Sequence, residues 1–427
     1  MRELLTCDLL VIGGGMAGMT AAQAAAEEGA TVVVVEKAPA VGGSAAISGG
    51  FVWTADDVSA LAAQCPRGDH DLVETLVEGY PRLMRWLARS GVTLEAEQRV
   101  MFGRGRRLDI FGYLQRAHKL VQARGGMVAT SSTVDALEMQ DGVVCGATVR
   151  DHSGILDIRA GHTVLATGGF QGNRGLLERH MGPMAARLLH RSNPYSTGDG
   201  LQLGLTVGGA TSVGMDTFYG HLIAGPVPEF TRAQFVQFAA FVSEHGLLVN
   251  LEGARFADES LGDHKNAQEV ARQSQGRAVL FIDEPTRANA ARRSFVAGLE
   301  AFDVVEEARG AGGRVASAAN PDELLPVIAS WGYETAGMAS VLAGWRARRE
   351  EDRGAPFYAL EVRPGITFTE GGLRIDRRSR VLDANGHPVP RLLAAGADTG
   401  GTFAGGYGGG LALAGVFGLV AAEEAGF

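Results

Sequence analysis

The sequence predicts an α/β protein, and three observations carry this prediction. An apolar run, Leu9–Ile12, leads into three consecutive glycines, an alanine-rich helix and a second apolar run. A further apolar run, Val164–Ala166, enters another glycine turn. Between about 212 and 353 the hydrophobic periodicity weakens and short charged helices are predicted, so we expect an inserted α+β segment there. The chain of 427 residues is long enough for two domains.

The glycines after the first apolar run fit the pattern G-x-G-x-x-G over residues 13–18. In this pattern Gly13 allows a tight turn, Gly15 lets the backbone approach a pyrophosphate, and Gly18 allows close packing of helix on strand. The second run ends on Glu36, where a carboxylate can accept hydrogen bonds from ribose hydroxyls. A plain glycine turn is the alternative interpretation. The strand, the helix and the acidic residue lie at the expected spacing along the sequence, and this favours a dinucleotide site.

The remaining elements follow in chain order. Periodic apolar residues predict helices over 69–91 and 113–124, and glycine turns then separate three strand-like segments. After the inserted segment a last strand is predicted over 392–398, followed by a helix from Leu411 to Ala425. The core domain is therefore expected to be split in the sequence.

Composition excludes several classes of partner. The formal charge of −9 argues against nucleic acid and anionic membranes. The cysteines Cys7, Cys65 and Cys145 form no C-x-x-C pair, so we expect no metal site, no c-type haem and a reducing compartment. The longest apolar stretch, Leu411–Ala422, is too short to cross a bilayer. The sequence therefore predicts a cytoplasmic protein without a membrane span.

Four glycine motifs together resemble one family. They are the paired glycines of the loop 41–53, A-T-G-G-F at 166–170 with Asn173, T-G-D-G at 197–200, and the glycines around Tyr407. The chain resembles the flavoproteins that include fumarate reductase, succinate dehydrogenase flavoproteins and the 3-ketosteroid dehydrogenases. The loop spacing up to Trp53 is most similar to the ketosteroid dehydrogenase and tricarballylate dehydrogenase branches.

The resemblance implies a Rossmann-like FAD-binding domain of the glutathione-reductase type, formed by residues 1–211 and 354–427. Residues 212–353 would form an inserted α+β cap that closes over the substrate. Covalently flavinylated relatives carry a histidine in the loop where this chain has Ser44, so FAD should be bound non-covalently. The residues expected to bind FAD are Gly13, Gly15, Met16, Ala17, Gly18, Glu36, Lys37, Gly43, Ser44, Ser48, Gly49, Gly50, Val134, Ala166, Thr167, Gly168, Asn173, Thr197, Asp199, Gly396, Asp398, Gly409, Gly410, Leu411 and Ala412.

The resemblance also allows substrate residues to be compared. Fumarate reductases hold two substrate carboxylates with histidines and arginines, and an arginine delivers the proton. His221 matches the histidine of the family motif M-x-x-x-Q-x-H-P, while Tyr219 replaces its glutamine. A histidine and an arginine of the dicarboxylate-binding relatives are replaced here by Phe403-Ala404 and Tyr407. Without these cations, bidentate recognition of succinate or fumarate is not expected.

Tyr407 matches the tyrosine of the Y-P-G-x-G motif of ketosteroid dehydrogenases, although the proline is missing. The resemblance implies that this phenol abstracts a proton next to a ketone while hydride leaves for the flavin. The helix that begins at Leu411 should favour the phenolate. The alternative is that Tyr407 only packs on the ring or hydrogen-bonds a carbonyl.

The other candidate residues include some whose role has two alternative interpretations. His221 is either a substrate residue or a hydrogen-bonded structural residue. Tyr358 is a further catalytic candidate, as is Tyr113. Arg255 and Glu259 form either a structural ion pair or part of a proton path.

The predicted activity is that of an FAD-dependent oxidoreductase acting on a CH–CH bond next to a carbonyl. We expect α,β-dehydrogenation of a ketone or polycyclic small molecule, with an external electron acceptor that the sequence does not specify. One alternative is an enzyme similar to fumarate reductase or tricarballylate dehydrogenase that acts on a carboxylic acid. Another is the flavoprotein subunit of an electron-transfer assembly, against which the missing haem motif argues.

Overall fold

The computed structural model describes residues 3–226, 238–293, 300–347 and 354–427, which fall into two compact units. Unit one comprises Met1–His180, Ser192–Phe218 and Phe368–Phe427. Unit two comprises Met181–Arg191 and Tyr219–Thr367. The predicted end of the cap at 353 lies outside the described residues, and the division into a cofactor domain and a cap stays a prediction.

The strands are numbered in chain order over the described residues. They are β1 (Glu3–Ile12), β2 (Val32–Val35), β3 (Phe51–Ala55), β4 (Gln98–Val100), β5 (Gly103–Arg107), β6 (Met127–Ala129), β7 (Thr133–Gln140), β8 (Val143–Asp151), β9 (Gly154–Leu165), β10 (Leu189–His190), β11 (Phe218–Ala224), β12 (Leu247–Asn250), β13 (Ala278–Asp283), β14 (Val315–Ala318), β15 (Phe357–Thr369), β16 (Arg380–Leu382) and β17 (Pro388–Ala394).

The α-helices are numbered in the same way. They are α1 (Met16–Glu27), α2 (Val58–Gln64), α3 (His70–Arg89), α4 (Ile110–Ala123), α5 (Arg174–Met181), α6 (Asp199–Thr206), α7 (Asp263–Arg272), α8 (Glu284–Arg292), α9 (Val304–Gly310), α10 (Leu325–Ser330), α11 (Met338–Ala347) and α12 (Gly410–Glu424).

Unit one is built on a mostly parallel sheet. Strands β17, β9, β1, β2 and β6 lie side by side in this order and run parallel, while β16 pairs antiparallel with β17. The hairpin β7–β8 continues from β9 in antiparallel fashion. The central strands are continuous apolar runs because both of their faces are covered, as in Leu9–Ile12 and Val32–Val35, which are buried throughout.

Two helices of unit one pack closely against each other. The apolar helix α12 meets α1 where Gly415 and Gly418 face Met16 and Ala17. A Cβ on Gly418 would lie 2.6 Å from the carbonyl oxygen of Ala17, so only glycine permits this approach. Helix α1 begins soon after the carboxyl end of β1, whereas α12 begins at Gly410, after the loop that follows β17. This small-residue seam explains why the last helix is alanine- and glycine-rich.

Unit two contains a second sheet. Strand β15 pairs with β13 and β14 in antiparallel fashion and with β10 in parallel, and β12 extends the sheet beyond β13. Leu248 joins one apolar cluster, whereas its neighbours Leu247 and Val249 join another. Alternate residues of β12 therefore fill two cores on opposite faces of the sheet.

The described elements agree with most of the sequence expectations. The α/β fold class is confirmed, and the helices predicted at 69–91 and 113–124 are α3 and α4. The last strand, β17 (Pro388–Ala394), begins and ends four residues earlier than predicted. It cannot continue to 398 because Gly396 takes a positive φ of 72° and starts a 3-10 turn over Gly396–Asp398. Within the described part of the chain no helix is long and apolar enough to cross a membrane.

Candidate functional site

The carboxyl ends of three neighbouring strands meet at one edge of the sheet in unit one. The register pairs Ile12 with Leu165 and Leu165 with Ala394, so β1, β9 and β17 end at the same level. The N–H of Ala166 donates to the carbonyl of Ile12 at 2.8 Å, and that of Ala395 donates to Leu165 at 2.9 Å. Ligands of open parallel sheets bind at such an edge.

The first glycine loop has the shape that its motif predicts. Gly13 takes a φ of 113°, and a Cβ there would lie 2.1 Å from the carbonyl oxygen of Ala166. A Cβ on Gly18 would lie 2.0 Å from the carbonyl oxygen of Gly13. Around Gly15, by contrast, the nearest atom to an added Cβ is 4.0 Å away. The helix N-terminus at Gly15 is therefore open, as a pyrophosphate site requires.

Glu36 directly follows β2 and is buried, with 7% of its surface exposed. Its Oε2 accepts the N–H of Gly14 at 2.6 Å, and its Oε1 accepts the N–H of Ala38 at 2.6 Å. Each carboxylate oxygen has a second lone pair, so both can also accept from ribose hydroxyls. Val134 lies half-buried in the nearby hairpin strand β7.

The loop 41–53 lies beside the same helix start. Gly43, with a φ of 53°, opens a 3-10 helix over Gly43–Ile47, and a Cβ on it would come 3.3 Å from Cα of Gly15. Ser48 closes the turn by donating to the carbonyl of Ala45 at 2.7 Å. The other predicted cofactor residues of this loop are Ser44, Gly49 and Gly50, of which Gly50 has a φ of 76°.

Four predicted cofactor residues form one polar group at the start of α6. Lys37 Nζ lies 2.6 Å from Thr197 Oγ1 and 2.7 Å from Asp199 Oδ2. Thr197 Oγ1 donates to Asp199 Oδ1 at 2.6 Å, and the Asn173 amide donates to the carbonyl of Thr197 at 3.1 Å. The structure therefore brings together Lys37, which follows Glu36, and residues of two motifs, A-T-G-G-F with Asn173 and T-G-D-G.

Thr167 and Asp398 link the ends of β9 and β17. The backbone N–H of Thr167 donates to Asp398 Oδ2, and its hydroxyl donates to Oδ1 at 3.0 Å. Burial raises the pKa of Asp398 to about 7, the Thr167 hydrogen bonds oppose the rise, and Asp199 adds to it. Next to Thr167, Gly168 takes a φ of 93°. This carboxyl group can change its charge near neutral pH.

Tyr407 lies in a glycine loop just before α12. Its phenol oxygen accepts the N–H of Gly410, the first residue of the helix, at 3.0 Å. Gly409 takes a φ of 103°, and a Cβ there would lie 1.8 Å from the carbonyl oxygen of Trp53. Only glycine allows this loop to lie on β3. Leu411 and Ala412 complete the first turn of the helix.

Aromatic rings surround the phenol. The Tyr407 ring centroid lies 5.6 Å from Trp53, 5.6 Å from Phe403 and 6.0 Å from Phe368, with steep interplanar angles. Trp53 in turn contacts Phe102 edge-on at 5.5 Å. All five residues belong to unit one. This aromatic box around Tyr407 (Trp53, Phe102, Phe368 and Phe403) gives the loop an apolar environment.

In unit two the structure brings the predicted residues Tyr219 and His221 together. Their rings meet at 5.1 Å, and Tyr219 also meets His264 at 5.3 Å. His221 Nδ1 lies 2.5 Å from Asp263 Oδ2, and both side chains are buried. Burial and the neighbouring Arg191 lower the pKa of His221, while Asp263 opposes them. We call these five residues the histidine cluster.

The other candidates of the sequence are engaged elsewhere. The Tyr358 hydroxyl donates to Glu284 at 2.6 Å and accepts from Arg287 at 3.2 Å. Tyr113 is fully buried in unit one, with its hydroxyl 2.8 Å from that of Thr20, and burial raises its pKa.

Arg255 and Glu259 form a bidentate ion pair. Arg255 Nε lies 3.1 Å and 3.0 Å from the two carboxylate oxygens of Glu259. Glu259 Oε1 also accepts the N–H of Leu248 at 2.9 Å. The pair thus fixes the start of β12, and its part in a proton path stays a prediction.

Five contributors to these sites were not predicted from the sequence: Arg191, Asp263 and His264 in the histidine cluster, and Phe102 and Phe368 in the aromatic box. Arg191 is buried with 2% of its surface exposed, and burial lowers its pKa to about 10. No local pattern reveals a buried arginine. Asp263 follows Gly262 at the start of a charged helix, and this helix-start signal could have located it. Phe368 is brought to the aromatic box by long-range packing, which no local sequence pattern reports.

Together these features define a class of protein first. The open helix N-terminus at Gly15, the buried acid Glu36 and the strand ends of one sheet edge are those of a dinucleotide-binding α/β protein. The close approach of Gly43 to Gly15 adds a second strip of backbone along the same edge. These residues fit an FAD molecule extended across the edge of the sheet.

The family model described as FAD binding domain matches residues 8–417, and the chain belongs to this family. The match confirms the predicted cofactor, FAD. Non-covalent binding stays a prediction.

Known proteins are similar over nearly the whole chain. The NADH:acrylate oxidoreductase of Vibrio harveyi is 26% identical over 98% of this chain, which spans only 50% of that relative. The fumarate reductase (cytochrome) of Shewanella frigidimarina is 25% identical over 98% of this chain and 77% of the relative. These matches confirm the predicted resemblance and the class of FAD-dependent oxidoreductase.

One solved structure shows the same fold at lower identity. It is the 3-ketosteroid-Δ4-(5α)-dehydrogenase from Rhodococcus jostii RHA1 in complex with 4-androstene-3,17-dione. The TM-score is 0.79 at 22% identity, covering 100% of this chain and 99% of that chain.

Proposed function

We propose that this FAD-dependent oxidoreductase acts on a CH–CH bond next to a carbonyl, with Tyr407 as the acid–base residue. The single observation that carries the proposal is the hydrogen bond from the N–H of Gly410 to the phenol oxygen of Tyr407. The donor is the first residue of α12, where the helix dipole is positive. Both effects favour negative charge on the oxygen, so this phenol is suited to release and recover a proton.

The surroundings of Tyr407 support a ketone substrate. The phenol lies among Trp53, Phe368 and Phe403, and an apolar site of this kind makes a buried substrate carboxylate costly. A ketone has no net charge to desolvate. Flat polycyclic molecules also pack well against aromatic side chains.

The reaction needs one proton and one hydride. When bound, FAD supplies the two-electron acceptor or donor. In dehydrogenation, Tyr407 takes the proton from the carbon next to the carbonyl, the adjacent carbon loses its hydrogen as hydride, and a carbon–carbon double bond forms. In the reverse direction the same phenol returns the proton. We take dehydrogenation as the proposed direction.

A second candidate function is the reduction of an unsaturated acid. Two observations favour it. The named activities of both relatives given above concern acrylate or fumarate. In addition, the buried Arg191 is close enough to His221 to lower the pKa of that histidine. A buried cation next to a histidine suits a single carboxylate better than a ketone.

A panel of four substrates distinguishes the two candidate functions. The holoprotein is reduced anaerobically and mixed in turn with 4-androstene-3,17-dione, 2-cyclohexenone, acrylate and fumarate. We expect the two unsaturated ketones to reoxidise the flavin faster than either acid does. Reoxidation by the acids alone would support the second candidate, and a flavin that none of the four reoxidises would contradict both.

A further inference from the structure

Glu370 directly follows β15 and is buried, with 3% of its surface exposed. The two residues before it show which way its side chain points. The Thr369 hydroxyl accepts the N–H of Phe170 at 3.3 Å, whereas Phe368 contacts the ring of Tyr407. Alternate side chains of an extended chain lie on the same face. The Glu370 side chain therefore lies on the same side as Phe368, toward the loop that carries Tyr407.

Glu370 holds both ends of the turn 401–405, which precedes Tyr407 in unit one. Its side-chain Oε2 accepts the N–H of Gly405 at 2.9 Å. Its backbone carbonyl accepts the N–H of Gly401 at 3.3 Å, and its own N–H donates to the carbonyl of Thr217 at 3.2 Å. One residue thus ties the turn to a neighbouring segment of the same unit.

The packing of this loop is uneven. An added Cβ would lie 2.0 Å from the nearest atom at Gly406, 2.2 Å at Gly408 and 1.8 Å at Gly409. At Gly405 the nearest atoms would be 4.0 Å away, and this glycine takes a φ of 83°. A loosely packed glycine has many other conformations available. The hydrogen bond from Gly405 to Glu370 therefore acts at the point of the loop where close packing does not fix the backbone.

Glu370 has two properties that bear on the loop, its charge and its acceptor oxygen. The charge acts on Arg67, which forms a bidentate ion pair with Asp216. The hydrogen bond to Asp216 and the charges of Asp216 and Glu370 raise the pKa of Arg67. The acceptor oxygen, in contrast, contacts the loop of Tyr407 directly.

We propose that Glu370 is a positioning residue for Tyr407, which it holds in place through the acceptor oxygen that binds the N–H of Gly405. This rests on the proposed function, since it takes Tyr407 as the acid–base residue. Gly405 is two residues from Tyr407, so a change of its backbone moves the phenol. A small displacement of a reacting group lowers the rate of the chemical step strongly.

A purely structural role is the competing explanation, in which Glu370 stabilises unit one without affecting Tyr407. Two substitutions separate the roles. Glu370→Gln removes the charge and keeps a side-chain oxygen that can accept the N–H of Gly405. Glu370→Met has a similar length and offers only a weak acceptor.

Glu424→Met is the matched control. Glu424 is also a largely buried carboxylate of unit one, with 14% of its side chain exposed, and it pairs with Arg378. It is the last residue of α12, about 21 Å along the helix axis from the first residue, Gly410. Its substitution should lower stability and leave Tyr407 undisturbed.

The first measurement observes Tyr407 without any substrate. The FAD-bound protein is labelled with 3-fluorotyrosine, and the Tyr407 signal in the fluorine-19 spectrum is assigned by its loss in Tyr407→Phe. The chain has only seven tyrosines, so the spectrum contains few signals. We expect Glu370→Met to shift or broaden the Tyr407 signal, and Glu370→Gln and Glu424→Met to leave it near its wild-type position. An unchanged signal in Glu370→Met, or an equal change in Glu370→Gln, would overturn the proposal.

The second measurement tests the consequence for the reaction, with the panel compound that reoxidises the flavin fastest. Rates at increasing concentrations give a limiting rate and a half-saturating concentration. We expect Glu370→Met to lower the limiting rate roughly 10- to 100-fold, with little change in the half-saturating concentration. Glu370→Gln should keep a limiting rate within a few-fold of the wild type.

The outcomes separate the proposal from its alternatives. A large loss of the limiting rate in Glu370→Gln would overturn it, and this test remains even when Glu370→Met does not fold. An equal loss in Glu424→Met would also overturn it, because the rate would then follow stability. If no panel compound reacts, the proposed function fails, whereas the fluorine spectra still decide whether Glu370 positions Tyr407.

Discussion

Tyr407 and Tyr358 place the same side chain in two opposite settings. In unit one the Tyr407 phenol lies in the aromatic box, and its oxygen accepts a backbone N–H. In unit two the Tyr358 phenol lies in an ion-pair network with Glu284, Arg287 and Asp303. Its hydroxyl donates to a carboxylate.

The difference concerns the charge that each site favours. Burial raises the pKa of Tyr358, and the hydrogen bond to Glu284 raises it further, so this phenol stays protonated. The N–H of Gly410 instead stabilises negative charge on Tyr407. Both tyrosines were candidates in the sequence, and only their partners separate them. A backbone donor at a helix start and a carboxylate acceptor in an ion-pair network therefore predict different preferred charges for the two phenols.

The largest expected effect concerns Asp398, the acid at the same sheet edge. Its pKa in the folded protein is about 7, compared with an ordinary value of 3.8. The folded state thus binds more protons than the unfolded state between these values, and stability falls as the pH rises from about 4 to 7. The loss should reach about 4 kcal/mol at most. Asp398→Asn should remove this slope in urea unfolding of the holoprotein. An unchanged slope would show that Asp398 ionises normally.

The next effect concerns Glu36 at the end of β2. Ser44 stands where a covalent attachment would need a histidine, so acid precipitation should release the FAD and allow its binding to be measured. Glu36→Ala should weaken FAD binding by roughly 1–3 kcal/mol, because a charged acceptor for the ribose is lost. Glu28→Ala, at the exposed far end of α1, serves as the control. Equal affinities of the two variants in a fluorescence titration would exclude the ribose role.

A smaller effect is expected in the ion-pair network. Tyr358→Phe removes the hydroxyl that links Glu284 and Arg287, and it should lower the free energy of unfolding by about 1 kcal/mol. The rate of flavin reduction should not change. Urea unfolding and stopped-flow absorbance measure the two quantities. A slower reduction at unchanged stability would return Tyr358 to the catalytic candidates.

The glycine motifs were predictable because each needs a backbone without Cβ. Gly13 and Gly409 would place a Cβ about 2 Å from a carbonyl oxygen, and this constraint is local enough to be visible in the sequence. The position of Glu36 follows from the same pattern of strand, glycine turn, helix and strand. The α/β fold was therefore predictable from strand, glycine and helix patterns.

The histidine cluster was only half predictable. A motif located His221, but its partner Asp263 is 42 residues away, and sequence spacing does not report such a contact. The burial of Arg191 depends on the packing of β10 against β15. Phe403-Ala404 and Tyr407 occupy the two positions where dicarboxylate-binding relatives carry cations, and these two positions do not report on Arg191. Long-range packing, rather than local pattern, determines that part of the site.

The comparison is tested most directly by the rates of flavin reduction in Tyr407→Phe and Tyr358→Phe. Stopped-flow absorbance would follow the anaerobic reaction of each holoprotein with the saturated form of the ketone that reacts in the panel. Phenylalanine keeps the ring and removes only the hydroxyl. We predict a rate roughly 10²–10⁴ lower for Tyr407→Phe and an unchanged rate for Tyr358→Phe, with the same flavin spectrum in both. A Tyr407→Phe rate within a few-fold of the wild type would contradict the account and leave Tyr407 as a packing residue.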